Sequence, residues 1–299
     1  MGPAARGHLA MLLFSALVAG SFPLGAAAAN AIAPVALNAV RFALATAIIG
    51  AAVLVRGGGG RAALAAPWRY GVLGGVFAIY FVLMFEGLKT AAPVSAAAVF
   101  TLTPILTAGF AWLLLRQVTG PWVAAALAIG AAGALWVIFD ADPAALRAFD
   151  VGRGEAVYFA GCVAHAAYTP LVRRLNRGER ALIFTFWTLV AATGLLMAVG
   201  APAIAATDWT ALPRAVWIAI GYTAIFATAG TFTLLQYAAL RLPAAKVMAY
   251  TYLVPAWVAL WQIALGQPAP AAGILVGVAL TVLALVMLLR EVSAAGARG

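Results

Sequence analysis

Residues 87–117 read GLKTAAPVSAAAVFTLTPILTAGFAWLLLRQ, and residues 239–267 read ALRLPAAKVMAYTYLVPAWVALWQIALGQ. Each opens on a small-Leu-basic joint, Gly87-Leu88-Lys89 or Ala239-Leu240-Arg241. Each then runs apolar through a proline, Pro104 or Pro255, and stops at Arg116-Gln117 or Gly266-Gln267. These are the fourth and ninth of ten apolar runs, so the repeating unit is five helices. An odd unit inserts its second copy upside down, which relates the halves by an axis in the membrane plane. Inverted repeats are a transporter architecture, with the substrate near the midplane between the halves.

Composition agrees with a membrane protein. Of 299 residues, 66% are apolar, and ten membrane helices of about 20 residues need roughly 200 positions. Charged residues are 9%, against about 25% in soluble domains. This excludes a soluble enzyme, a disordered chain and a disulfide scaffold. It also argues against an outer-membrane barrel, whose apolar signal alternates in short strands. One cysteine, Cys162, and two histidines, His8 and His165, leave no disulfide and little for a metal. No metal, cofactor or enzymatic role is expected, and the partners are a small-molecule substrate and the lipid bilayer. The net charge of +10 reads as loop charge on the cytoplasmic face rather than as a nucleic-acid surface.

The runs lie near 9–28, 32–55, 68–88, 91–115, 121–139, 154–172, 181–201, 213–235, 243–263 and 270–289. They divide the chain into a first repeat (1–139), a periplasmic connector (140–153) and a second repeat (154–299). With both termini inside, thirteen lysines and arginines, among them Arg61, Arg290 and Arg298, fall on the cytoplasmic side. Four (Lys89, Arg147, Arg153 and Arg214) fall outside, which places both termini in the cytoplasm. The first run also resembles a signal peptide, with Arg6, an apolar stretch and then Ala26 to Ala29. Its Gly20, Pro23 and Gly25, and the need of the repeat for this helix, argue against cleavage.

The pattern resembles the EamA branch of the drug/metabolite transporter superfamily. The matching pieces are Gly20-Ser21-Phe22, Arg41-Phe42, Gly87-Leu88-Lys89 with Pro104, Gly133, Ala166 with Tyr168-Thr169, and Ala239-Leu240-Arg241 with Pro255. The chain departs from the family at Ala19, where a tryptophan is usual, and at His165, the matching place in the second half. It departs again at Arg116-Gln117 and Gly266-Gln267, where Gly-Glu is usual. The resemblance implies an all-α integral membrane fold of ten helices, two inverted five-helix repeats around a central cavity lined by helices 1, 3, 4, 6, 8 and 9. It also implies export of amino acids or similar metabolites, nearest to the YddG-type exporters of aromatic and other bulky amino acids. The alternative is an exporter of another small neutral or cationic metabolite or drug.

Gly20-Ser21-Phe22-Pro23-Leu24-Gly25 interrupts the first run. Proline removes a donor and frees a carbonyl, and glycine lets a ligand approach the backbone. In lipid such a break survives only beside protein or a wet cavity. It reads either as a substrate-facing break, with Ser21 in the site and Gly20 and Pro23 as a hinge, or as a packing kink. Pro104 and Pro255 carry the same two readings, hinge or plain kink. In the sixth run Tyr158, His165 and Thr169 recur at i, i+7 and i+11, with Tyr168 close by. A mid-span histidine should not face lipid, so His165 contacts substrate, carries a proton, or is a buried histidine bonded to a carbonyl.

Phe77, Tyr80 and Met84 form a stripe in the third run. Thr103, Thr107, Tyr222, Thr233, Gln236, Tyr250 and Tyr252 add hydroxyls, an amide and rings from runs four, eight and nine. Together these side chains make either an amphipathic box or ordinary packing. Trp68, Trp122 and Trp209 read as interfacial anchors, with Trp112 and Trp187 undecided. Arg41 binds an anion, pairs with helix carbonyls or reaches an interface, and Glu86 pairs with Lys89 at i+3. No acidic residue is mid-span, which disfavours a pump for lipophilic cations. No basic cluster is mid-span, which disfavours a phosphate-bearing substrate. A zwitterion fits best. His165 is the one mid-span group with a near-neutral reference pKa, so proton coupling would need it. Arginine outnumbers lysine 16 to 2, which suggests a GC-rich bacterium and its inner membrane.

Overall fold

The computed structural model describes residues 2–56, 61–149 and 151–296, without the side chains of Arg61, Ala62, Ala245 and residues 290–296. Of the residues counted for orientation, Arg298 and the side chains of Arg61 and Arg290 therefore lie outside the description. The regular elements among the described residues are all helical, with no strand among them. The first half comprises α1 (Pro3–Ala19), α2 (Ser21–Ala29), α3 (Pro34–Val55), α4 (Trp68–Gly87), α5 (Pro93–Phe100), α6 (Thr103–Leu115) and α7 (Pro121–Ile138). A short α8 (Pro143–Ala148) lies in the connector. The second half comprises α9 (Arg153–Leu175), α10 (Ala181–Ala206), α11 (Arg214–Ala224), α12 (Thr231–Ala239), α13 (Ala244–Ala249), α14 (Val254–Ala264) and α15 (Ala272–Gly296). A π-helical turn, Ile225–Gly230, joins α11 to α12, and a 3₁₀ turn, Tyr250–Leu253, joins α13 to α14.

Prolines open α1, α3, α5, α6, α7 and α14. The first turn is where a missing N–H costs nothing and the fixed φ helps. Among the described residues, nine helical stretches are long and apolar enough to cross a membrane. Four combine two elements: α1 with α2, α5 with α6, α11 with α12, and α13 with α14. The sixth expected run is α9, which at 23 residues is long enough to cross. It stands outside the nine because it is the least apolar long helix. Tyr158, His165, Tyr168 and Thr169 dilute it, and all four are buried, so its polar face is turned into protein.

The halves interleave. α4 packs on α9 and α10, α3 on α10, α7 on α15, and α1 on α12. Two of these contacts are set by paired glycines. A Cβ on Gly87 would sit 2.6 Å from the Gly154 carbonyl, and one on Gly133 would sit 2.6 Å from the Gly277 carbonyl. Without an oil-water difference between lipid and helix, close backbone packing of this kind is what holds membrane helices together.

Two of the carbonyls freed by prolines find side-chain donors. Pro104 leaves the Phe100 carbonyl without its helical donor, and the Thr103 hydroxyl donates to it at 2.6 Å. Pro170 does the same to Ala166, whose carbonyl accepts from Thr107 on α6 at 3.2 Å. The break ahead of Pro104 and the one ahead of Pro255 touch, with Thr103 Oγ1 3.4 Å from Thr251 Oγ1. At Gly20 a Cβ would collide with the ring of Tyr222, whose hydroxyl donates to the Leu17 carbonyl at 2.9 Å.

Candidate functional site

An aromatic box forms where α4 and α5 meet α9 and α12. The stripe on α4 brings Phe77 and Tyr80, α5 ends on Phe100, and α12 adds Phe232. The Phe77 and Phe232 centroids are 3.9 Å apart, and Phe77 and Tyr168 are 4.5 Å apart. His165 lies among them, 4.4 Å from Tyr80, 5.2 Å from Phe100 and 5.3 Å from Phe77 between ring centroids. The box is closed, since its rings touch one another and all are buried.

Two hydrogen-bond chains edge it. Tyr80 and Tyr158 share a bond at 3.0 Å. Thr185 on α10 donates to Gln236 Oε1 at 2.9 Å, and Gln236 Nε2 donates to the Tyr168 hydroxyl at 2.8 Å. Against these paired groups, His165 Nδ1 and Thr169 Oγ1 are buried with no partner among the described residues. They are one turn apart on α9 and so share a face. Trp187 Nε1 on α10, away from the box against Tyr70 and Phe186, is another such atom, and so is Ser21 Oγ. Its neighbour Phe22 borders the box, 6.0 Å from Tyr158 and 6.2 Å from Phe100. A buried polar atom without a partner costs stability, and the clustering of His165 Nδ1, Thr169 Oγ1 and Ser21 Oγ at or beside the box makes these three the strongest ligand candidates.

The structure therefore gathers Tyr80, Tyr158, His165, Tyr168 and Gln236, with Ser21 on an adjoining element. It places the other expected residues elsewhere. Tyr222 braces the Gly20 break. Tyr250 hydrogen-bonds His8 Nδ1 at 3.0 Å. Tyr252 packs over Gly130 and donates to the Leu127 carbonyl at 3.4 Å. Thr103 serves the backbone ahead of Pro104. Gly20, Pro23, Pro104 and Pro255 all stand at or next to helix breaks. Phe100 and Phe232 were absent from the expected set, because within an apolar run a phenylalanine gives no sign of which neighbour it will meet.

Arg41, fully buried on α3, takes the carbonyl-pairing role. Nε donates to Thr228 Oγ1 at 2.7 Å, Nη1 to Asn38 Oδ1 at 3.3 Å, and Nη2 to the Ala227 carbonyl at 3.1 Å. The guanidinium lies 3.8 Å from the Phe81 ring centroid. Ala227 and Thr228 belong to the π-helical turn, whose wider winding breaks the regular helical bonding and leaves backbone acceptors for a neighbour. Among the described residues no carboxylate is buried.

At one end, Arg69 donates to the Leu175 carbonyl at 2.6 Å and to Glu179 at 2.7 Å. It ties the start of α4 to the joint between α9 and α10. Burial pushes the Glu179 carboxyl up, but the Arg69 bond and backbone N–H donors outweigh it and hold the group below its ordinary value of 4.5. A depressed folded pKa stabilises fully above the unfolded value and is lost as pH falls through the folded one. Glu179→Gln is therefore expected to lower the unfolding temperature at neutral pH. It should also remove the Glu179 share of the stability lost as pH falls below about 4.5. Parallel acid melting curves for the two proteins would contradict this assignment. Glu86 and Lys89 pair at 2.8 Å, as their spacing predicts.

The EamA-like transporter family model matches this chain twice, over residues 5–139 and 152–290. The chain belongs to that family. It is thus a multi-pass membrane transporter of small substrates. It is 26% identical to the uncharacterized transporter YyaM of Bacillus subtilis (strain 168) over 264 residues, 87% of this chain and 86% of the relative. A solved structure, named only as a crystal structure of a protein, superposes with a TM-score of 0.73. It shares 24% identity over 96% of each chain and shows the fold alone.

Proposed function

We propose that this protein exports a small zwitterion, an amino acid with an aromatic or other bulky neutral side chain, by alternating access across a bacterial inner membrane. The observation that carries the reading is the pair of partnerless polar atoms, His165 Nδ1 on a ring surrounded by aromatic side chains and Thr169 Oγ1 one turn further along α9. Rings would hold an apolar side chain, and the polar atoms would meet its charged head. The lack of a buried carboxylate among the described residues speaks against an organic cation. Arg41 has its donors engaged by the protein, which speaks against a phosphate ester.

In this reading α9 is the tenth crossing helix, and 1–139 and 154–299 are inverted repeats joined by 140–153. The double match of the family model supports that division. The closed box opens by bending at the breaks near Gly20 and Pro23, Pro104 and Pro255, with both termini cytoplasmic. Proteoliposomes loaded with the common amino acids test the substrate. Saturable efflux is expected for phenylalanine, tryptophan and leucine, and little for aspartate or lysine. Efflux of none of the amino acids, alongside movement of another metabolite class, would overturn the assignment. Topology is tested by single cysteines in a Cys162→Ala background. Ala148 and Thr207 positions should be labelled from outside intact cells and Gly178 should not, and labelling at Gly178 would reverse the orientation.

A further inference from the structure

Where α3 ends and α10 begins, a half-open cavity of about 660 Å³ lies between α3, α10 and α12. Its rim carries Arg56, Arg180 and Arg241, and its walls include Val53, Leu182 and Ile183. Glu179 is the one acid at the rim, and it is bound to Arg69 and to the Arg177 N–H. Arg56 and Arg180 form no ion pair among the described residues. Arg241 lies 3.6 Å from the Tyr237 ring centroid and donates Nη1 to the Tyr237 carbonyl at 2.8 Å, which fixes the guanidinium and leaves its other nitrogens free to donate. The protein therefore leaves the positive rim without a counter-charge, above apolar walls.

The neighbouring end of α3 is open and apolar, with Leu54 and Val55 77% and 87% exposed. The aromatic box lies beyond α12. Thr233 and Tyr237 line the groove, while Gln236 on the same helix points to Tyr168. The groove is thus separate from the proposed substrate site, and this inference does not depend on that reading.

We propose that this groove binds an anionic glycerophospholipid, with its headgroup phosphate on Arg56, Arg180 and Arg241 and an acyl chain along Val53, Leu182 and Ile183. Arginine forks match phosphate oxygens, and basic pockets between membrane helices hold anionic headgroups while their walls take the chain. A soluble anion would use the rim alone and leave the walls without an occupant.

The test uses the purified full chain in neutral detergent, titrated with phosphatidylglycerol, phosphatidylcholine or inorganic phosphate. Binding is read by unfolding temperature and by lipid adducts in native mass spectrometry. Phosphatidylglycerol should raise the unfolding temperature saturably and bind about tenfold tighter than phosphatidylcholine. The double variant Arg56→Gln, Arg180→Gln should weaken it by about tenfold or more. Leu182→Trp, which fills the wall without touching charge, should weaken it too, and Arg147→Gln should not. Equal binding of the two lipids overturns the proposal. Displacement of phosphatidylglycerol by equimolar inorganic phosphate identifies a soluble-anion site and overturns it as well. If the double variant does not purify, single Arg56→Gln and Leu182→Trp decide, and wild-type phosphatidylglycerol binding in both overturns it.

Discussion

Replacing His165 with leucine is expected to raise the unfolding temperature while lowering transport by roughly 10- to 100-fold. Nδ1 is buried and has no partner among the described residues. Such an atom costs about 1–3 kcal/mol relative to a satisfied one, and an apolar side chain of similar volume removes that cost. A gain of about 1 kcal/mol in stability follows, allowing for imperfect repacking among Phe77, Tyr80 and Phe100. A hydrogen bond to a charged substrate group is worth about 1.5–3 kcal/mol, so its loss lowers transport by roughly 10- to 100-fold. Thr169→Val is the companion test, because it removes only the hydroxyl. Opposite movement of stability and transport separates a ligand-binding residue from a structural one. A His165→Leu protein that is less stable yet transports normally would show that the histidine is part of the packing.

Arg41→Met is expected to be strongly destabilising. The substitution leaves the Ala227 carbonyl, Thr228 and Asn38 each short of a donor. It also removes the cation from the Phe81 face. Each orphaned buried group costs about 1–3 kcal/mol, and such costs do not add fully, so a loss of about 2–4 kcal/mol is expected. Arg41→Lys should recover little, because an ammonium is a point charge and cannot serve three acceptors in the plane of a fork. The measurement is the half-life in detergent at fixed temperature, a suitable readout where unfolding is irreversible. Wild-type persistence of Arg41→Met would mean that the π-helical turn does not need its guanidinium.

Much of this was legible in the sequence, and the reasons differ from residue to residue. The face holding Tyr158, His165 and Thr169 could be read because helical spacing alone puts those side chains together. The breaks ahead of Pro104 and Pro255 could be read because proline acts on its own helix. The wide turn at Ile225–Gly230 could not be read, since nothing in Ile225-Phe226-Ala227-Thr228-Ala229-Gly230 marks it apart from any apolar stretch. It is recognised only from the distant Arg41 that bonds to it. Arg69 was legible only as one of the thirteen cytoplasmic-side basic residues and not as the tie between α4 and the joint after α9, whose residues are more than a hundred positions away. Tyr250 and Tyr252 resemble site residues in a linear reading because a ring packed on a glycine and a ring facing a ligand have the same local sequence.

The bond from Arg41 to Ala227 spans 186 positions. During synthesis α3 leaves the ribosome long before the π-helical turn has been made. At about 5–20 residues per second, that interval is roughly ten to forty seconds. Through it the guanidinium has no Thr228 and no Ala227, and a cation deep in hydrocarbon is costly. The nascent first half must therefore hold Arg41 near water or headgroups, with α3 displaced or tilted, until the eighth run arrives. Final seating of α3 is then a late event in biogenesis, dependent on the second half, although its sequence is among the first to be translated.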